Sequence, residues 1–345
     1  MPDGRAARSR EPGDLATRED FVNEPTLWVL TDDRPGNAGQ ALGVGEALGW
    51  PFVQKQIGYT LFGKLPNLLR GATLLGVDSS SCEGLAPPWP DVVVAAGRRT
   101  APVARWIKKQ TGGRTYLCQI MWPGGAGARD FDLIAVPTHD ELLGTHSNVL
   151  RVTGAPHRVT EARLALEGMK WKPRFRSLRK PRIAVIVGGS TKNRTFTPAM
   201  ARDLGEKVAA LAASTGGALM VTTSRRTGED AEEALLSALP EPACLYRWGS
   251  PGENPYFGFL ACADVIVVTG DSVSMVSEAC ATKVPVYIYA PDALISPKHA
   301  RLHVHLYALG MAEALSGSFK PWTHPPLNAA SDVAKAVRQA LVGRT

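Results

Sequence analysis

The sequence predicts an α/β protein built of two Rossmann-like, doubly wound domains, and three observations predict it. Short apolar runs rich in β-branched residues recur along the chain, and each stops at Gly, Pro or polar residues. The runs are continuous in hydrophobicity and separated by helix-compatible stretches, as expected of parallel strands covered on both faces. They fall into two series on either side of a basic stretch, and 345 residues at 44% hydrophobic content suffice for two cores of ordinary size.

In chain order, residues 1–24 mix Arg5, Arg8 and Arg10 with Glu11, Asp14, Glu19 and Asp20, which argues against a secretory signal or an organelle presequence. A frayed tail is expected there. The first domain is expected over 25–168. It opens with a strand at 27–31 that breaks at Asp32-Asp33-Arg34-Pro35-Gly36-Asn37, followed by a small-residue helix over about 39–48. Further strands are expected at 92–95, 116–120 and 133–136. Residues 169–182 are expected to be a linker: 170–182 hold seven Lys and Arg and no acid, and are interrupted by Pro173 and Pro181.

The second domain is expected over 183–328, with strands at 183–187, 219–223, 244–248, 265–268 and 286–289. The run at 265–268 ends at Thr269-Gly270-Asp271-Ser272, and a short helix carrying Glu278 leads through Lys283-Val284-Pro285 to the last strand. Residues 329–345 close the chain with a packing helix, in which Val333, Val337 and Leu341 share one face behind the caps Ser331 and Asp332.

Composition narrows the function. No apolar run reaches the ~20 residues a membrane-spanning helix needs, so a soluble, cytoplasmic protein is expected. The five cysteines lack C-x-x-C spacing and read as reduced core residues. The net charge of +7 is local: removing the seven basic residues of 170–182 from the 39 Lys and Arg leaves 32, against 32 Asp and Glu. A broad nucleic-acid surface is therefore not expected. With Trp171 and Phe175 interleaved, the same stretch is a candidate peripheral contact with an anionic membrane at the inner face of the cell.

Ligands of doubly wound sheets bind beyond the carboxyl ends of the strands, where this sequence concentrates its polar residues. Gly188-Gly189-Ser190, followed by Lys192 and Arg194, offers close backbone approach, hydroxyls and charge to a phosphate, without Walker A or G-x-G-x-x-G spacing. Ser224-Arg225-Arg226 follows the next strand, and guanidinium forks suit diphosphate oxygens. Ser272, Ser274 and Met275 open the helix whose Glu278 is placed to meet neutral hydroxyls beside the anion. Trp248, ahead of Asn254, is a candidate wall for a base. In the first domain, Gly36, Asn37, Arg98 and Arg99 gather at strand ends, and Asp33, His139 and Asp140 are candidate catalytic bases. No metal-ligand spacing is present, since His303 and His305 are two apart and face different sides of a helix. No cofactor is expected.

With those residues laid out, the chain resembles the bacterial and plant family named for the plant mitochondrial fission (elongated-mitochondria) protein. The resemblance runs over about residues 27–315. It rests on Thr31-Asp32 with Pro35-Gly36-Asn37, Gly97-Arg98-Arg99-Thr100, Pro137 with His139-Asp140, Gly154-Ala155-Pro156, Thr223-Ser224-Arg225-Arg226-Thr227, Asn254-Pro255-Tyr256 and Asp271 through Met275 with Ser277-Glu278-Ala279. At one remove, the 188–190 loop and the 274–285 block look like the donor half of two-domain GT-B glycosyltransferases. That likeness implies a cleft between the domains, a metal-independent reaction, and a nucleotide-sugar donor held by the second domain. It also implies that Glu278 holds the ribose, and that Gly189, Ser190 and the 272–275 loop hold the diphosphate.

Three functions are weighed on this basis. The leading one is glycosyl transfer from a nucleotide sugar to a lipid-linked or envelope glycan. The second is a nucleotide-sugar epimerase or hydrolase of the same fold. The third, implied by the plant relatives, is a scaffold without turnover, against which the joint presence of Arg225, Arg226 and Glu278 argues.

Overall fold

The computed structural model describes residues 24–342, so the predicted N-terminal tail lies outside the described residues up to position 23. The first domain runs β1 (Leu27–Thr31), α1 (Pro35–Leu48), β2 (Phe52–Gln56), α2 (Asn67–Arg70), α3 (Ser79–Glu83), β3 (Val92–Ala96), α4 (Ala101–Gln110), β4 (Tyr116–Ile120), β5 (Leu133–Pro137) and β6 (Val149–Val152). Its six strands are parallel, in the order β2-β1-β3-β4-β5-β6. The central strands are buried along their whole length, which is why they read as uninterrupted apolar runs.

The second domain runs α5 (Glu161–Phe175), β7 (Arg182–Ile186), α6 (Pro198–Thr215), β8 (Ala218–Thr222), α7 (Glu229–Ala238), β9 (Cys244–Tyr246), α8 (Tyr256–Cys262), β10 (Val265–Thr269), α9 (Val273–Ala279), β11 (Val286–Tyr289), α10 (Pro297–Ala308) and β12 (Glu313–Ala314). Again six parallel strands form the sheet, in the order β12-β11-β10-β7-β8-β9. Each sheet has apolar packing on both faces, so the protein has the two-domain doubly wound architecture of the GT-B type.

Two expectations need correction. The stretch read as a linker is helical through Phe175, and Trp171 and Phe175 are buried against Phe259 and Leu260 of α8. The two rings stack at 5.6 Å, with Arg174 over Trp171, so these aromatics belong to the core and are not offered to a membrane. The final packing helix, α11 (Ala329–Val342), begins ahead of the expected caps Ser331 and Asp332, with the Asn328 side chain accepting from the Ser331 amide at 3.0 Å, and it returns to the first domain. Its Ala330, Val333 and Val337 pack with Ala41 and Val44 of α1, and Arg338 donates to the carbonyls ending that helix. The chain therefore crosses between domains twice.

The crossing strand ends and loops pin the domains together. Ser277 on α9 accepts from the Ala155 amide at 2.9 Å, and buried His157 reaches the Leu327 carbonyl at 3.0 Å. Thr153, after β6, meets His305 of α10 at 3.2 Å. His303, two residues away, faces the core of its own domain, so the two histidines point to different surroundings.

Candidate functional site

In each sheet the strand order reverses beside the first strand, and crevices form at such switch points beyond the carboxyl ends. In the first sheet that point lies between β1 and β3, where Asp32-Asp33 and Gly97-Arg98-Arg99 meet. In the second it lies between β7 and β10, where Gly188-Gly189-Ser190 and Asp271-Ser272 meet. A methyl group on Gly36, at the start of α1, would come within 3.7 Å of Ser274 Oγ on α9. The two switch points thus face one cleft.

In the second domain the polar loops are locked to one another. Asp271 is buried; its carboxylate accepts from the Gly189 amide at 3.0 Å and pairs with Arg226 at 2.6 Å. Gly188 donates to Thr269 Oγ1 at 2.7 Å, and Ser190 donates to the Arg226 carbonyl at 2.8 Å. Ser224 and Thr227 both donate to the Gly188 carbonyl. Glycine is required here by space: a side chain on Gly188 would strike the Asp271 carboxylate, and one on Gly189, at φ +149°, would strike the Arg226 backbone. The loop amides expected to cradle a phosphate are therefore engaged within the protein. Side chains are left to meet an anion: Arg225 is exposed, Arg226 is part-exposed above Asp271, and Arg194 reaches the Asp292 and Ala293 carbonyls from the far side.

Sequence reasoning missed the start of α10 as part of this cluster. Ser296 and His299 form a reciprocal capping box with His in the place usual for Glu or Gln; the legible signal for this helix start is Ser296 followed by Pro297. Burial pushes the His299 pKa down; Asp271 opposes the shift, while Lys298, Arg226 and Arg194 add to it. That set of influences places His299 amid the same charges. Lys298 extends across the cleft to pair with Asp140 at 2.6 Å, and Arg301 donates to the His139 carbonyl at 2.9 Å.

Glu278 is half-buried on α9, where Tyr256 donates a short hydrogen bond to its carboxylate. Burial raises its pKa to about 7, with Tyr256 and the nearby Arg163 holding it down against that trend. Ser272 caps α9 through the Met275 amide at 3.4 Å, and Met275 is packed against the core. Asn254 turns out to accept from the Tyr256 amide at 3.0 Å, just ahead of α8. Trp248 is 57% exposed, an open surface and not the wall of a formed pocket.

In the first domain, Arg99 pairs with both Asp32 and Asp33 and lies over the Tyr59 ring at 4.7 Å. Asp32 is buried and also accepts from the Arg34 amide and the Asn37 side chain, so it organises the loop while Asp33 is left facing solvent. Arg98 is spent on the Lys64 and Leu65 carbonyls. His139 is buried, neither ring nitrogen has a hydrogen-bond partner, and burial lowers its pKa to about 4. The residue lines a cavity of about 500 Å³ together with Arg301, Val304 and His305 of α10. Among the described residues no group of His, Cys, Asp or Glu is placed to hold a metal ion.

The family model described as mitochondrial fission ELM1 matches residues 35–341. The chain belongs to that family. Among curated ELM1 relatives, the mitochondrial fission protein ELM1 of Arabidopsis thaliana is 29% identical over 279 residues, 74% of this chain and 65% of the plant protein. The chain thus spans less than two thirds of that relative's length. An uncharacterized protein of Rickettsia prowazekii is 26% identical over 350 residues, covering 91% of this chain and 98% of its own. Solved structures show the shared fold: a UDP-GlcNAc 2-epimerase from Methanocaldococcus jannaschii has a TM-score of 0.53 at 14% identity, over 92% of this chain and 99% of that one. A UDP-GlcNAc 2-epimerase from Neisseria meningitidis, solved bound to UDP-GlcNAc, has a TM-score of 0.51 at 12% identity, over 92% and 100%.

Proposed function

We propose that this ELM1-family protein is a glycosyltransferase that binds a nucleotide sugar at the switch point of its second domain. One observation carries the proposal: Arg226 lies on the 188–190 loop and pairs with Asp271, Arg194 and Lys298 act with it on the charge of His299, Arg225 is exposed next to Arg226, and Lys298 reaches Asp140 of the first domain. An excess of fixed cations at a doubly wound switch point favours a diphosphate. That a protein of the same fold was solved with UDP-GlcNAc supports the choice of ligand class.

In the proposed reaction, an acceptor hydroxyl gives its proton to Asp33, the exposed carboxylate at the end of β1. The acceptor oxygen bonds to the anomeric carbon as the bond from that carbon to the diphosphate breaks, and the electron pair goes to the departing phosphate oxygen. Arg225 and Arg226 neutralise that charge in place, which is where fixed charges contribute most. Glu278 meets the ribose hydroxyls in exchange for Tyr256. Access selects Asp33 from the three candidates: although paired with Arg99, its side chain is 71% exposed, whereas that of His139 is 0% exposed and that of Asp140, paired with Lys298, is 19% exposed. Both are assigned to shaping the acceptor side.

Turnover separates this proposal from its alternatives. Incubating the protein with a panel of nucleotide sugars and following the anomeric protons by NMR distinguishes three outcomes. A transferase leaves the donor intact until an acceptor is supplied, an epimerase or hydrolase consumes it alone, and a scaffold does neither; only the first supports the proposal.

A further inference from the structure

Between the end of β2 and Asp78, the first domain carries an excursion that is turned inside out. On α2, Asn67 and Arg70 are 7% and 1% exposed, while Leu68 and Leu69 between them are 76% and 67% exposed. The preceding 3-10 turn (Leu61–Lys64) leaves Leu61 and Phe62 at 79% and 62%, and Leu75 stands out as well. Looseness does not account for this arrangement. Arg70 donates inward to the Leu75 and Arg99 carbonyls, Asn67 to those of Arg98 and Pro123, and Tyr59 bridges Val77 across the base of the excursion. The polar interior holds the apolar side chains out.

A contiguous exposed apolar patch of this kind marks an interaction surface, and its charge surroundings select the partner. No Asp or Glu occurs between Glu46 and Asp78. Lys64 and Arg98 are exposed at the patch. Ala72 borders a cavity of about 500 Å³ lined by Arg105, Lys108, Lys109 and Arg129. Arg105 and Lys108 are paired with Asp130 and Asp132, whereas Lys109 and Arg129 are exposed and stand outside any ion pair among the described residues. Apolar tips beside unpaired cations match the boundary of an anionic bilayer, where the tips enter the acyl region and the cations meet phosphates.

We propose that residues 57–77, with the cationic ledge of Lys109 and Arg129, form a membrane-docking surface for anionic phospholipid. It takes the place of the contact expected from 170–182, whose aromatics are buried. Arg70 and Asn67 tie the excursion to the carbonyls of Arg98 and Arg99, at the same strand end as Asp33, so docking would set the mouth of the cleft against the bilayer. The surface is independent of the nucleotide-sugar proposal, because its test reads binding without turnover.

The test is flotation of the full chain with vesicles of phosphatidylcholine, with and without phosphatidylglycerol. Wild type should float with the anionic vesicles and not with the neutral ones. The Leu61→Ser, Phe62→Ser, Leu68→Ser, Leu69→Ser combination should lower binding roughly tenfold or more, with an unchanged thermal midpoint because all four side chains are exposed. Lys109→Gln with Arg129→Gln should lower it about fivefold per charge, at roughly 1 kcal/mol each. Lys172→Gln, Arg174→Gln, Arg176→Gln should float as wild type does. Wild type that stays with the soluble fraction, or a fourfold serine variant that still floats, overturns the proposal. So does wild type that fails to float and sediments as a dimer dissolved by the serine substitutions, an outcome that makes the patch a protein interface.

Discussion

Replacing Glu278 with Gln should change how stability depends on pH, and the sign follows from burial. The carboxyl has a pKa of about 7 in the folded protein against 4.5 as its ordinary value. Between those values the folded state holds a proton that the unfolded state has released, so this group makes stability fall as pH rises. Each pH unit across the window is about 1.4 kcal/mol, and the whole interval is about 3 kcal/mol as an upper figure. Three buried histidines act in the opposite sense. His139, His157 and His303 are each lowered to about 4 by burial, so the unfolded state binds more protons between there and 6.5, and stability rises with pH through that window. The raw profile of wild type therefore mixes both trends, and the difference between variant and wild type isolates Glu278. Urea melts from pH 5 to 8 should show Glu278→Gln gaining on wild type by about 2–3 kcal/mol toward the alkaline end, because Gln can still accept from Tyr256 without a charge. A difference that stays flat across that range would refute the assignment of a half-buried carboxyl with a raised pKa at this position.

Other expectations follow from single contacts. Ser277→Ala strips the Ala155 amide of its acceptor at the domain seam and should cost about 1–3 kcal/mol in chemical denaturation. Gly189→Ala forces a methyl group into the Arg226 backbone at a φ that L-residues avoid, so a loss of about 2 kcal/mol or more should accompany loss of nucleotide binding in calorimetry. His157→Leu should flatten the part of the acid-side loss between pH 6.5 and 4 that the buried ring contributes, at the expense of the hydrogen bond to Leu327; urea melts at pH 5 and 7 check this.

The strands were legible where the sheet is buried on both faces, as at β1, β3, β7 and β10, because there at least four consecutive residues are apolar. At the sheet margins that signal fails. β2 leaves Val53 half-exposed among Gln54, Lys55 and Gln56, and β6 and β12 are short and part-exposed, so none of them stands out as a run. The 169–182 stretch misled because Lys170, Lys172 and Arg174 are exposed on a helix whose apolar partners, Phe259 and Leu260, lie some 85 residues further on. The position of the site was readable from polar residues at strand ends. Its internal pairing was not: that Asp271 takes up Gly189 and Arg226, and that Asp32 is the buried member of the Asp32-Asp33 pair, depend on contacts between distant strands. The excursion at 57–77 carries no sequence signal of its inverted packing: only the fold sets Asn67 and Arg70 inward and Leu68 and Leu69 outward.

The most direct test of the central claim is isothermal titration of the full chain with uridine, guanosine and cytidine diphosphates, on wild type and on Arg225→Gln with Arg226→Gln. One of the three should bind saturably to wild type. Each charged hydrogen bond is worth on the order of 1.5–3 kcal/mol, so the double variant should bind at least about tenfold more weakly, even though Arg226 is already paired with Asp271. Absence of binding by all three to a folded wild type, or equal binding by the double variant, would contradict a nucleotide-sugar site at the second switch point.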